Sequence, residues 1–214
     1  MPKKILKPAP NLGRKSAYVA RNRVALIKAA QGVLADLGPE TTIERVAEVA
    51  EVSVSTIYKH FESKELLFET AIVEAMLDWE VWIDEIVADV QDPLEALALP
   101  MRMLLRIKST HPLYANLIAK NLSDIPRYFP VLSNNLGIHI KALVKSKAID
   151  IDNIEIRIQS FSGAHFAALS QQLLNPKARE VDADIAIEIA LGILGLTPAK
   201  AKKLAHMPLP TLKI

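Results

Sequence analysis

No cysteine occurs among the 214 residues, which excludes disulfides, a thiolate nucleophile and thiolate-ligated metal. Glycine is limited to seven positions and aromatics to 5% of the chain. No Gly-rich phosphate loop, Gly-x-Ser-x-Gly turn or HExxH helix is present. The five histidines, His60, His111, His139, His165 and His206, lie far apart, so no local metal motif forms. Acidic pairs such as Asp84-Glu85 fall in helical stretches and read as solvated faces rather than a catalytic carboxylate pair. No catalytic residue, metal or cofactor is assigned. Long hydrophobic runs are missing too: Ile185 to Leu196 contains Glu188 and is too short to span a bilayer. At the start, only Ile5 and Leu6 separate Lys3-Lys4 from Lys7-Pro8, too little for the apolar core of a signal peptide. A soluble, cytoplasmic chain outside the enzyme classes is expected.

What is present is a hydrophobic fraction of 50% with 23% charged residues, which excludes a disordered chain and is enough for a real core. The net charge of +2 is unevenly spread. Residues 1–28 carry Lys3, Lys4, Lys7, Arg14, Lys15, Arg21, Arg23 and Lys28 and no acidic residue. Such a block is either a solvated tail or a phosphate-binding segment, and its position before the motif described next favours the second.

Apolar spacing of helical period recurs along the chain, and sustained strand alternation does not, so the fold is expected to be all-α. Residues 1–15, with Pro2, Pro8, Pro10 and Gly13, read as a flexible basic arm. A helix is expected over 16–37, with Val24, Ile27, Leu34 and Leu37 on one face, stopped by Gly38-Pro39. Thr41 with Glu44 forms a capping box for a second helix to Ala50. Ala47 permits close helix crossing, Glu51-Val52-Ser53 makes a corner, and Ser53 caps a helix from Val54 to His60. Ile57 and Phe61 would anchor that helix, leaving Val54, Ser55, Thr56, Tyr58, Lys59 and His60 outward. Ser63 caps a long helix over 64–90, and a domain boundary is placed there. Later helices are expected after Asp92-Pro93, with a kink or division at Pro100, and after His111-Pro112. Others are expected over 131–147 after a break at Ile125-Pro126 to Phe129-Pro130, over 154–174, and over 184–196 with Asp182 as cap. Residues 201–214 read as a tail.

Residues 41–64, Thr-Thr-Ile-Glu-Arg-Val-Ala-Glu-Val-Ala-Glu-Val-Ser-Val-Ser-Thr-Ile-Tyr-Lys-His-Phe-Glu-Ser-Lys, carry the chemistry. Two short helices around a three-residue corner, the second bearing hydroxyls, a phenol and basic groups, suit a helix laid in the major groove of DNA. With the Glu-Leu-Leu that follows, this segment closely resembles the signature of TetR-family transcriptional regulators, over roughly a third of the chain. Glu51 departs from the pattern, which usually has glycine there; if the corner needs positive φ, a side chain costs about 1 kcal/mol.

The resemblance implies an N-terminal three-helix helix-turn-helix DNA-binding domain (16–63) and a C-terminal helical-bundle domain for ligand binding and dimerisation (64–200). It further implies a homodimer through the last two long helices, where Ser162, Gly163, Ala164, Ala167, Ala168, Ala186, Ala190 and Gly192 permit close approach. The partners expected are a near-palindromic double-stranded DNA operator, read by two helices roughly 34–36 Å apart, and a small effector, with no membrane. At the DNA end, Ser55 and Thr56, beside Ser53, can bond base edges and Val54 can touch a thymine methyl. Tyr58, His60 and Lys64 match the family's phosphate-contacting positions, Thr42 can offer hydroxyl and backbone N–H to phosphate, and Lys59 can serve either role. Candidate pocket residues are Trp79, Trp82, Met101, Met103, Tyr114, Phe161 and His165, whose character leans toward an apolar or amphipathic effector. The implied function is a ligand-responsive regulator, a repressor released by its effector. An all-helical enzyme or a helical adaptor without specific DNA binding are the alternatives.

Overall fold

The computed structural model describes residues 14–210; residues 1–13 and the last four lie outside the described residues, and the arm expected over 1–15 is cut short at its end, since Arg14 and Lys15 already belong to the first helix. Eleven α-helices follow in order among the described residues: α1 (Arg14–Leu37), α2 (Ile43–Val49), α3 (Val54–Tyr58), α4 (Lys64–Val87), α5 (Pro93–Leu104), α6 (Ile107–Thr110), α7 (Pro112–Lys120), α8 (Ile125–Lys145), α9 (Ile154–Leu174), α10 (Glu180–Ile193) and α11 (Pro198–Ala205). The described chain is all-α, as its periodicity requires.

Local chemistry sets most boundaries. Gly38, at φ +59°, ends α1 and enters a 3-10 turn, Gly38–Glu40. A Cβ there would stand 3.0 Å from both the Cβ and the carbonyl oxygen of Lys120, so glycine serves the left-handed backbone and the close approach of α7 together. Ser53 and Ser63 cap α3 and α4, each accepting a backbone N–H three residues on. The cap of α2, however, is Thr42, whose hydroxyl accepts from the Arg45 N–H at 3.2 Å. Thr41 is buried instead, its hydroxyl donating to the Val33 carbonyl at 3.4 Å, because the turn after α1 folds it back on that helix.

Other expectations are corrected by packing. The inner face of α1 is Leu26, Ile27, Ala30, Val33 and Leu34, while Val24 is 56% exposed and Leu37 is exposed too. Because α1 lies between α4, α7 and α2, its buried stripe centres on the side facing all three. Helix α5 continues through Pro100, and α8 starts at Ile125, since Pro126 in the first turn forfeits no ladder bond. Asp182 is not the cap of α10 but its third residue; its carboxylate accepts the Arg179 backbone N–H at 3.0 Å, so the helix starts earlier. Residues 201–205, read as tail, belong to α11, with Ala201, Leu204 and Ala205 buried against α10 and α5.

No gap in packing separates the two expected domains. Helix α1 lies along α7 and α4 more extensively than along α2, and one apolar core runs from Ile57 and Phe61 to Leu191. Polar clamps reinforce the join: Gln31 Nε2 donates to the Ala71 carbonyl (3.0 Å), and Asn121 Nδ2 to the Leu34 and Leu117 carbonyls (3.3 and 2.8 Å). At the far end, Arg102 and Arg106 on or after α5 both reach the Asp184 carboxylate of α10, at 3.1 and 2.8 Å. Both guanidiniums are buried, so losing Asp184 would strand the Arg102 charge and leave Arg106 only the more distant Glu180 carboxylate at 3.9 Å. No helix among the described residues is long and apolar enough to cross a membrane.

Candidate nucleic-acid interface and internal cavity

The α2–α3 corner closes through backbone bonds of Schellman type: Val52 N–H to Ala47 O (2.9 Å) and Glu51 N–H to Glu48 O (3.1 Å). This geometry puts Glu51 at φ +55°, the conformation in which its departure from glycine costs most. Beyond the corner, Ser53 Oγ lies 2.9 Å from both Ser55 Oγ and Thr56 Oγ1 while it caps α3. The three hydroxyls form a polar cluster at the start of α3. Ile57 and Phe61 are buried, and Ser55, Tyr58 (49% exposed) and Lys59 face solvent. Val54, Thr56, His60 and Lys64 are half-buried, and Thr42 is exposed at the head of α2. The Lys64 ammonium sits 5.7 Å from the Phe68 ring centroid.

Part of the basic block is committed to structure. The Arg23 guanidinium stacks 4.3 Å over Phe61 and donates to the His60 carbonyl at 3.5 Å, bracing the end of α3 from α1. Lys28 pairs with Asp78 of α4 at 2.8 Å. Both side chains thus join helices within the chain. Lys3, Lys4 and Lys7 lie outside the described residues.

Within the larger region, α4, α7, α8, α9 and the α5–α6 segment line a cavity of about 160 Å³. Two stripes of identical spacing form opposite walls: Ile72, Ala75, Met76 and Trp79 on α4, and Ser162, His165, Phe166 and Leu169 on α9. Of the expected pocket residues, Trp79, Met101, Tyr114 and His165 line it. Met103 and Phe161 are fully buried core away from it, and Trp82 sits edge-on to His111 with centroids 4.6 Å apart. Ser162, singled out in the sequence only for close helix approach, lines the cavity as well, and Phe166 was missed, although their i−3 and i+1 spacing from His165 places them on or beside its face.

The walls are mostly hydrocarbon, yet Trp79, Ser162 and His165 are among the residues that line them. Neither His165 ring nitrogen, nor Trp79 Nε1, nor Ser162 Oγ has a hydrogen-bond partner. Burial pushes the His165 imidazole down to about 4, so it is neutral at physiological pH. At the rim, the Tyr114 hydroxyl donates to Asp78 Oδ2 at 3.0 Å, and the same oxygen takes the Lys28 ion pair. The bond to Asp78 raises the Lys28 pKa, and the bond from Lys28 holds the Asp78 carboxyl below its usual range. Desolvation, then the bond to Asp78, raises the Tyr114 phenol. Its ring stacks on His111 with centroids 5.7 Å apart. Among the described residues no group of three or more His, Asp or Glu could hold a metal ion.

Comparisons with known proteins agree with this architecture. Residues 26–71 match the family model for bacterial regulatory proteins of the tetR family. The chain is 28% identical over 139 residues to the HTH-type transcriptional regulator RutR of Escherichia coli K12, a match covering 64% of this chain and 63% of that protein. Its fold is similar to that of RolR solved with resorcinol, at a TM-score of 0.74 and 20% identity, over 92% of this chain and 98% of that one. The fatty acid degradation regulator FadR of Bacillus halodurans matches at a TM-score of 0.65 and 17% identity, over 88% and 97%.

Proposed function

This chain belongs to the TetR family of bacterial regulatory proteins, and from that premise we propose that it is a cytoplasmic, ligand-responsive repressor that grips a near-palindromic operator as a homodimer. The observation that carries the reading is the exposed hydroxyl, phenol and lysine face of α3, held by a capped corner on a helix that shares its core with an internal cavity. Ser53, Ser55, Thr56 and Val54 read base edges; Thr42, Tyr58, His60 and Lys64 hold phosphates; Lys59 serves either. The effector enters the cavity beside Trp79, Met101, Tyr114 and His165. The RolR structure with resorcinol supports a fold able to hold a small molecule.

Dimerisation runs through α9 and α10. Their outward faces carry Ile156, Gly163, Ala167 and Leu174 on one helix and Val181, Ile185 and Ile189 on the other, an apolar surface with small residues at its centre. Occupancy shifts a population: a ligand favouring the non-DNA conformer by about 1–3 kcal/mol lowers operator affinity about 5- to 150-fold.

Binding of DNA from the chain's own promoter region, measured across salt concentrations, tests the reading. Tyr58→Phe and Lys64→Ala should weaken binding and flatten the slope of log K against log salt, the lysine by about one unit. Substitutions at Val54 or Ser55 should change the selected sequence instead. Indifference to DNA sequence at moderate salt would overturn the proposal.

A further inference from the structure

The cavity's unpartnered groups narrow the chemistry of what fills it. Trp79 and His165 are each only 7% exposed, and Trp79 Nε1, both His165 nitrogens and Ser162 Oγ lack partners. In a hydrocarbon-lined space such groups are costly unless an occupant satisfies them. The indole N–H only donates, so the occupant must present an acceptor. A neutral imidazole offers one donor and one acceptor, and the serine hydroxyl either, so an occupant that also donates satisfies more of the set. A hydroxyl does both. An ammonium cannot accept from Trp79, whereas a carboxylate cannot donate and would carry its charge into a mostly hydrocarbon wall.

Size narrows it further. The volume of about 160 Å³ is close to the roughly 150 Å³ of an apolar cavity that accepts benzene, and below the roughly 300 Å³ at which drug-sized pockets begin. Trp79, Phe166 and Tyr114 supply aromatic surface around it. We propose that this cavity binds an uncharged, single-ring molecule bearing a hydroxyl, of the phenol class, with the hydroxyl held by Trp79, Ser162 and His165. Naming that molecule the effector rests on the regulator reading above; the chemistry of the cavity does not.

Titration calorimetry on the full chain at neutral pH, with phenol, toluene, benzoate and benzylammonium as probes, tests this. Phenol should bind about tenfold tighter than each of the other three. In His165→Leu and Trp79→Phe the preference for phenol over toluene should collapse to within about threefold, as a lost hydrogen bond would require. Ser162→Ala, a small truncation, provides the same readout if either larger change impairs folding, which ligand-free melting would reveal. Equal binding of toluene and phenol to the unmodified chain, or equally tight binding of either charged ring, overturns the proposal. So does a variant series that keeps its full preference for phenol. The two readings separate cleanly: specific operator binding without phenol binding removes this inference alone, and phenol binding with no operator recognition removes the regulator alone.

Discussion

Glu51 shows how one residue can sit against the preference of its own backbone. Its φ of +55° lies at the residue that follows the α2 cap, and two backbone bonds hold the corner there regardless of the side chain. Glu51→Gly should therefore stabilise the protein by about 0.5–1 kcal/mol, seen as a higher denaturant midpoint with unchanged slope. His165 is the second residue whose surroundings oppose it. Its pKa of about 4 lies below the ordinary value of 6.5 because burial penalises the charged ring. Between pH 6.5 and 4 the unfolded chain takes up a proton that the folded chain refuses, so stability falls as pH drops through that window and is fully present above it. The loss amounts to about 3 kcal/mol. His165→Leu should flatten this part of the stability profile, and an unchanged profile would assign the acid sensitivity elsewhere.

At the level of elements, α1 is the piece on which both ends depend. Its middle buries Ile27, Ala30 and Leu34, Arg23 braces α3 through Phe61 and His60, and Lys28 joins Asp78 and Tyr114 at the cavity rim. A ligand that displaces the Tyr114 ring thus acts on an oxygen already shared with the helix beneath the DNA-facing corner. Both members of the Lys28–Asp78 pair are about half exposed, so Asp78→Asn should cost at most about 1 kcal/mol of stability. Its larger effect should be on coupling: the ratio of operator affinities with and without ligand should shrink by a factor equivalent to about 0.5–2 kcal/mol. If that ratio holds while Tyr114→Phe also leaves it intact, the signal travels by another route. The sequence shows the parts of this contact, since Lys28, Asp78 and Tyr114 stand on helices it marks clearly. Their meeting is not legible, because it joins residues 50 and 36 positions apart across helix faces whose rotation only packing defines.

For the whole molecule, α9 and α10 leave an apolar face exposed among the described residues. Ile189 is 68% exposed, and a Cβ at Gly163 or Gly192 would meet nothing within 4 Å in the single chain. Burying this surface against a second copy removes it from water and brings the glycine-bearing stretches of the two helices together. Ile189→Glu should shift the protein to monomer in sedimentation and lower operator affinity in step, with helical content by circular dichroism unchanged. A dimer persisting in that variant would move the interface off α10.

Composition, punctuation and short-range chemistry decided the helical class, the corner between α2 and α3, and the caps at Ser53 and Ser63. These depend on residues within a few positions of one another, where backbone geometry leaves few choices. The same local logic went astray at Pro126 and Asp182, and in allowing a division at Pro100, where a punctuating residue is compatible with a helix that runs past it or begins before it. Only tertiary structure decided that α1 belongs as much to the large bundle as to the DNA-facing corner, that residues 201–205 cover α5 and α10, and that Trp79, Ser162 and His165 share one cavity. Helical period states which residues lie on one stripe. Which neighbour that stripe meets, and where opposing side chains fall short of filling the space between them, depends on the placement of several separate helices at once.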